Sequence, residues 1–179
     1  MRVLILAAAL IVGGTIAVSG QSIPGKLQVQ LERLFPTATE FSPSGPVPPH
    51  YKAYETDASG VRTLLGIAFW TTELEPLERG YDGPIKILVG MNLKGLLTGV
   101  VVAEHHEPYG YFSVDRKEFA AQFVGKDIRD PFTVGSDVDA VSRASISIAS
   151  ATRAIRNSAR RVARQLLTPP APSAVKREQ

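Results

Sequence analysis

The sequence predicts an α+β fold: a twisted antiparallel sheet packed with a long C-terminal helix and short helices, preceded by one N-terminal transmembrane or signal helix. Three observations carry that expectation. Four segments rich in β-branched and aromatic residues lie between turn-forming residues. A late stretch repeats its apolar residues at helical spacing, and residues 3–18 form a largely apolar run.

Val3 to Val18 is that run, behind the single positive charge of Arg2. It is short of the roughly 20 apolar residues a spanning helix uses. Ala17 and Ser19 would suit a cleavage site, so anchor and export signal both stay open, with the uncleaved anchor preferred. The lack of a cysteine after it argues against a lipoprotein. With Arg2 held inside, the rest of the chain faces outward as a single-pass periplasmic protein with a cytoplasmic N-terminus. The expected organisation is an anchor over 1–22, one domain over 23–168 and a Pro-rich, disordered tail over 169–179.

Leu27, Val29, Leu31, Leu34 and Phe35 predict a short helix that stops at Pro36, because proline disfavours helical geometry in the residue before it. Ser42 to Pro49 reads as a loop. Tyr51–Glu55, Arg62–Thr72, Ile85–Asn92 and Leu97–Ala103 read as strands, with Ser59-Gly60 and Asn92–Gly95 as hairpin turns between neighbours. Phe69 and Trp70 are expected in the core rather than stacked on a bound ligand. Arg116–Phe123 predicts a short helix ended by Gly125. From Ser147 to Leu167, Ile148, Ala151, Ile155, Ala159, Val162 and Leu166 share one face of a long helix, and Arg153, Arg156, Arg160 and Arg164 share another. Those arginines are expected in solvent, favoured by the helix dipole, or against acidic lipids or a partner subunit.

Composition narrows the function. With 179 residues and no cysteine, the chain has room for one core but no disulfide, thiolate-held cluster or cysteine nucleophile. Redox chemistry would have to come from an organic cofactor. A formal charge of +3, with no basic patch interleaved with aromatics, argues against nucleic acid as a partner. No serine-hydrolase elbow or phosphate loop is present, so a hydrolase or kinase has nothing to rest on. In Glu104-His105-His106-Glu107, strand alternation would let only His105 and Glu107 share an ion, a set short of ligands unless His50 joins; a polar strand end is the simpler reading.

The informative stretch is Asp139-Ala-Val-Ser142-Arg143-Ala144-Ser145-Ile-Ser147, where a loop turns into the last helix. A helix N-terminus offers unpaired N–H groups and about half a positive charge, which suits a phosphate. The stretch resembles the Asp-x-x-Ser/Thr-Gly-Ala-Thr segment of the FMN-binding domains in Rnf and sodium-pumping NADH:quinone oxidoreductase flavin subunits and in NosR/NirI-type membrane regulators. Asp139, Ser142 and Ala144 match it, Ser145 stands at the acceptor threonine, and Arg143 replaces the glycine. Gly80-Tyr81-Asp82-Gly83-Pro84-Ile85 and His106-Glu107-Pro108 are similar to further elements of the family, so the likeness runs over about residues 27–167. A Gly-rich loop that often follows the histidine is replaced by Tyr109-Gly110-Tyr111-Phe112.

The resemblance implies an FMN cofactor, with Ser145, Ser142, Ala144, Asp139, Tyr81 and Gly83 at its site and a flavin transferase joining the phosphate to Ser145. It implies a subunit of a membrane electron-transfer complex. The alternative is a flavin-free accessory subunit stabilising a respiratory or photosynthetic membrane complex, for which Arg143 is the motive.

Overall fold

The computed structural model describes residues 23–42 and 45–167. The expected anchor over 1–22 and the tail beyond 168 lie outside them. Among the described residues no helix is long and apolar enough to cross a membrane.

Alternation along the central strands divides the interior into two cores. β4 (Arg62–Trp70) and β5 (Lys86–Asn92) are buried on both faces. Ile67, Phe69, Ile87, Val89 and Met91 point to one side, and Ala68, Trp70 and Leu88 to the other. The first side is covered by α4 (Ser145–Val162) and α3 (Lys117–Ala121), and the second by α1 (Gly25–Leu34). The result is helix, sheet, helix in three layers, with Phe69, Ile87, Val89, Ile148 and Ile155 wholly out of solvent. Each such side chain contributes about 1.5–3 kcal/mol by leaving water.

The sheet is antiparallel throughout, in the order β1 (Glu40–Phe41), β3 (Pro49–Thr56), β4, β5, β6 (Leu97–Glu104), with β2 (Gly45–Pro46) added to β3. The β3–β4 and β5–β6 hairpins turn where the sequence places them. Gly60 and Gly95 both have φ of +83°, the left-handed region that favours glycine.

Four details correct the sequence reading. β1 and β2 are short pairings within and beside a segment read as loop, made legible only by their partner β3. β4 ends at Trp70, and Thr71–Leu74 forms one helical turn, α2, because the Thr71 hydroxyl accepts the Ile87 N–H at 3.2 Å and leaves the ladder. α4 begins at Ser145, two residues before the expected start, and Ala163–Leu167 continues it as a wider π-helical turn. The arginines of α4 largely clasp the protein itself. Arg153 pairs with Glu78 at 2.7 Å, and Arg160 donates to the Ile128 and Asp130 carbonyls at 2.8 and 2.7 Å.

Candidate functional site

The site begins with a tight turn. Gly80 N–H bonds to the Gly83 carbonyl at 2.7 Å, and Gly83 has φ of +113°, which explains glycine there. The turn aims the Tyr81 and Asp82 N–H groups at one carboxylate, that of Glu107, each at 3.0 Å. Glu107 follows β6, is buried, and also accepts the hydroxyl proton of Ser147 from the first turn of α4. Burial works against its charge, but the bonds from Ser147, Asp82 and Tyr81 outweigh burial and hold the carboxyl below its ordinary range. A Cβ on Gly80 would lie 2.4 Å from Glu107 Oε1, so this glycine is what lets the carboxylate approach the turn.

His105 supports the same point from behind. The Glu107 N–H donates to His105 Nδ1 at 3.0 Å, so that nitrogen is an acceptor and the proton sits on Nε2, which donates to Asp115 at 2.8 Å. Gly110 lies against the ring, where a Cβ would fall 2.1 Å from Cε1. His105 and Glu107 are thus hydrogen-bonded to each other. His50, the third member of the ion-binding set considered above, is buried on β3 with its ring bonded to the Pro48 carbonyl at 2.7 Å. Among the described residues no three histidine, aspartate or glutamate side chains come together as a metal site.

At the start of α4 the Ala144 N–H bonds to the Val141 carbonyl at 3.1 Å, and Arg143 takes φ of +68°. Arg143 thus adopts a backbone conformation that favours glycine while carrying an exposed cation. No side chain caps the helix, and its first N–H groups have no intrahelical partner. They open onto a crevice of about 200 Å³ lined by Tyr81, Pro108, Tyr109 and Arg143 to Ser147. Tyr81 is 70% exposed at its rim and Ile146 55%.

Three of the six residues expected at the site, Tyr81, Ala144 and Ser145, therefore meet in one crevice. Gly83 shapes the turn without lining it. Asp139 and Ser142 instead line a separate hollow of about 420 Å³ with Arg116 and Gln122, and the Asp139 N–H donates to Gln122 at 2.6 Å. Glu107 is the residue that sequence reasoning did not place in the site, having weighed it as a metal ligand and as a family motif. The signal was the spacing of Gly80, which has no use for its missing Cβ unless something approaches it.

FMN has a phosphate end and a ring end, and the crevice offers partners for the first. A hydroxyl, free helix N–H groups and a guanidinium suit the phosphate end. At about 200 Å³ the crevice is smaller than the roughly 300–1,000 Å³ that encloses a drug-sized ligand, so it would hold the phosphate end and not the whole of FMN.

The fold is a three-layer α+β domain in which the uncapped start of α4 lies on one crevice. Residues 80–160 match the model of the FMN-binding domain, a stretch running from the Gly80 turn through Glu107 to the body of α4. The family recognised in the sequence is thereby supported over a shorter span than 27–167, and FMN is the cofactor it supports. No curated protein matches the chain.

Proposed function

We propose that the chain is an FMN-carrying electron-transfer subunit, tethered to a membrane by residues 1–22, facing the periplasm with the domain over 23–168, and working within a larger membrane complex. The carrying observation is that Ser145 opens α4 inside a crevice where unpaired helix N–H groups and Arg143 converge. Bound FMN supplies the redox chemistry. The chain's own residues do the holding: Ser145 provides the oxygen that a flavin transferase would join to the phosphate, Arg143 offsets its charge, and Tyr81 and Tyr109 give an aromatic rim beside it. Glu107 fixes the turn and the helix start relative to each other through its bonds to Tyr81, Asp82 and Ser147. Denaturing electrophoresis of the wild type and of Ser145→Ala, viewed for flavin fluorescence, tests attachment: a bright wild-type band and a dark variant are expected. A dark wild-type band removes the covalent link.

A second reading, a flavin-free accessory subunit, is favoured by one observation. The Glu107 carboxylate already takes up the donors of Tyr81, Asp82 and Ser147 that an incoming anion would use. Gentle detergent extraction and size separation address it; a protein that always migrates alone speaks against a place in a complex.

A further inference from the structure

A second concavity lies at the far end of α4, about 27 Å from the Ser145 crevice at 1.5 Å per residue over its 18 residues. It is an open trough of about 550 Å³. Its floor is apolar: Leu93 from the β5–β6 turn, Ile128 from the loop after α3, and Leu167 from the π-helical turn. Its rim is wholly cationic, from Lys94, Arg129, Arg160 and Arg164.

The helix dipole accounts for cations on the last turns of α4, but not for Lys94 and Arg129, which reach the same rim from two other segments. Two of the four charges are already used. Arg129 is paired with Asp127, and Arg160 donates to backbone carbonyls. The exposed side chains of Lys94 and Arg164 form no hydrogen bond or ion pair among the described residues. An apolar trough ending in two uncommitted cations and no carboxylate matches a molecule with one negative end and one alkyl chain. Arg164 and Leu167 both come from the π-helical turn Ala163–Leu167, a geometry frequent at functional sites.

We infer that the trough between the β5–β6 turn and the end of α4 binds a single-chain anionic amphiphile, a fatty-acid-type carboxylate, with its head between Lys94 and Arg164 and its chain on Leu93, Ile128 and Leu167. This site is independent of the flavin reading and stands or falls without it.

The test is titration of the delipidated full-length protein with laurate below its micellar range, followed by calorimetry and native mass spectrometry. Dodecanol and dodecyltrimethylammonium are the uncharged and oppositely charged controls. Saturable binding of one laurate per chain is expected, weakened at least tenfold in Lys94→Gln/Arg164→Gln and at least tenfold for either control. Circular dichroism confirms that the double variant, changed only at exposed positions, is folded; if it is not, Arg164→Lys with Leu93→Ser replaces it, retaining the charges while removing part of the floor, with the same tenfold loss expected. Absence of saturable laurate binding overturns the inference. So does equal binding of the cationic amphiphile, or an affinity unchanged by the variants. Binding of anionic vesicles without binding of free laurate also overturns it, in favour of a lipid surface.

Discussion

Ser147 donates its hydroxyl proton to Glu107 across 40 residues of chain, and this bond joins the start of α4 to the segment that follows β6. With the two N–H bonds from Tyr81 and Asp82, it makes one buried carboxylate the junction of a turn, the segment after β6 and the start of α4. The fold thereby holds Ser145 and Tyr81 on one crevice.

Glu107→Gln is expected to lower stability by about 2–3 kcal/mol, since bonds to a charged group contribute roughly 1.5–3 kcal/mol each and the amide keeps some of them. Thermal unfolding should shift by about 5–10 °C. The pH dependence has a defined sign. The folded carboxyl titrates below its unfolded value of about 4.3, so the unfolded chain takes up the proton first. The stabilisation is complete above that value and is lost as pH falls through the folded one. The gap between wild type and variant should therefore close on acidification below about pH 4.5, as read by denaturant melts across pH. Asp137 and Glu78, also held below their ordinary range, are common to both proteins and cancel.

Gly80→Ala places a Cβ within 2.4 Å of Glu107 Oε1, forcing the carboxylate off the turn. A loss of about 2 kcal/mol is expected together with a fall in retained FMN. In a double-mutant cycle with Glu107→Ala the two losses should be less than additive, because both remove the same bonds. Additive losses would mean that the glycine serves something else.

Arg143 has φ of +68°, a region that costs a residue with a Cβ about 1–2 kcal/mol. Arg143→Gly should raise stability by about 1 kcal/mol, while Arg143→Val should lower it. Chemical denaturation of the two variants reads both signs.

Arg160 and Arg164 sit one turn apart on α4, yet only Arg160 donates to backbone carbonyls, those of Ile128 and Asp130. Arg160→Ala is expected to cost about 1–2 kcal/mol and Arg164→Ala less than about 0.5 kcal/mol. Equal effects in thermal melts would contradict the division of the arginine face into structural and free cations.

Much of this architecture was legible because it rests on period. Helical spacing from Ile148 to Val162 reflects burial directly, the β-branched and aromatic runs of Arg62–Trp70 and Lys86–Asn92 form strands buried on both faces, and Phe69 and Trp70 lie in the core as expected. The three-layer arrangement was not legible, since nothing in Leu27–Phe35 says which side of the sheet it covers. The π turn and the inward reach of Arg153 and Arg160 depend on partners distant in sequence, Glu78 and the Ile128–Asp130 loop. Ser145 and Tyr81, singled out through the resemblance to FMN-binding domains, line one crevice. Asp139 and Ser142 adjoin Ser145 in sequence, but the left-handed Arg143 turns the backbone between them, and they line another hollow.

The native mass of the full-length protein, purified from cells that also make a flavin transferase and compared with Ser145→Ala, tests the central claim most directly. One FMN per wild-type chain and none in the variant is the result the Ser145 seat predicts. A wild-type chain devoid of FMN, or a variant that carries it equally well, would contradict it.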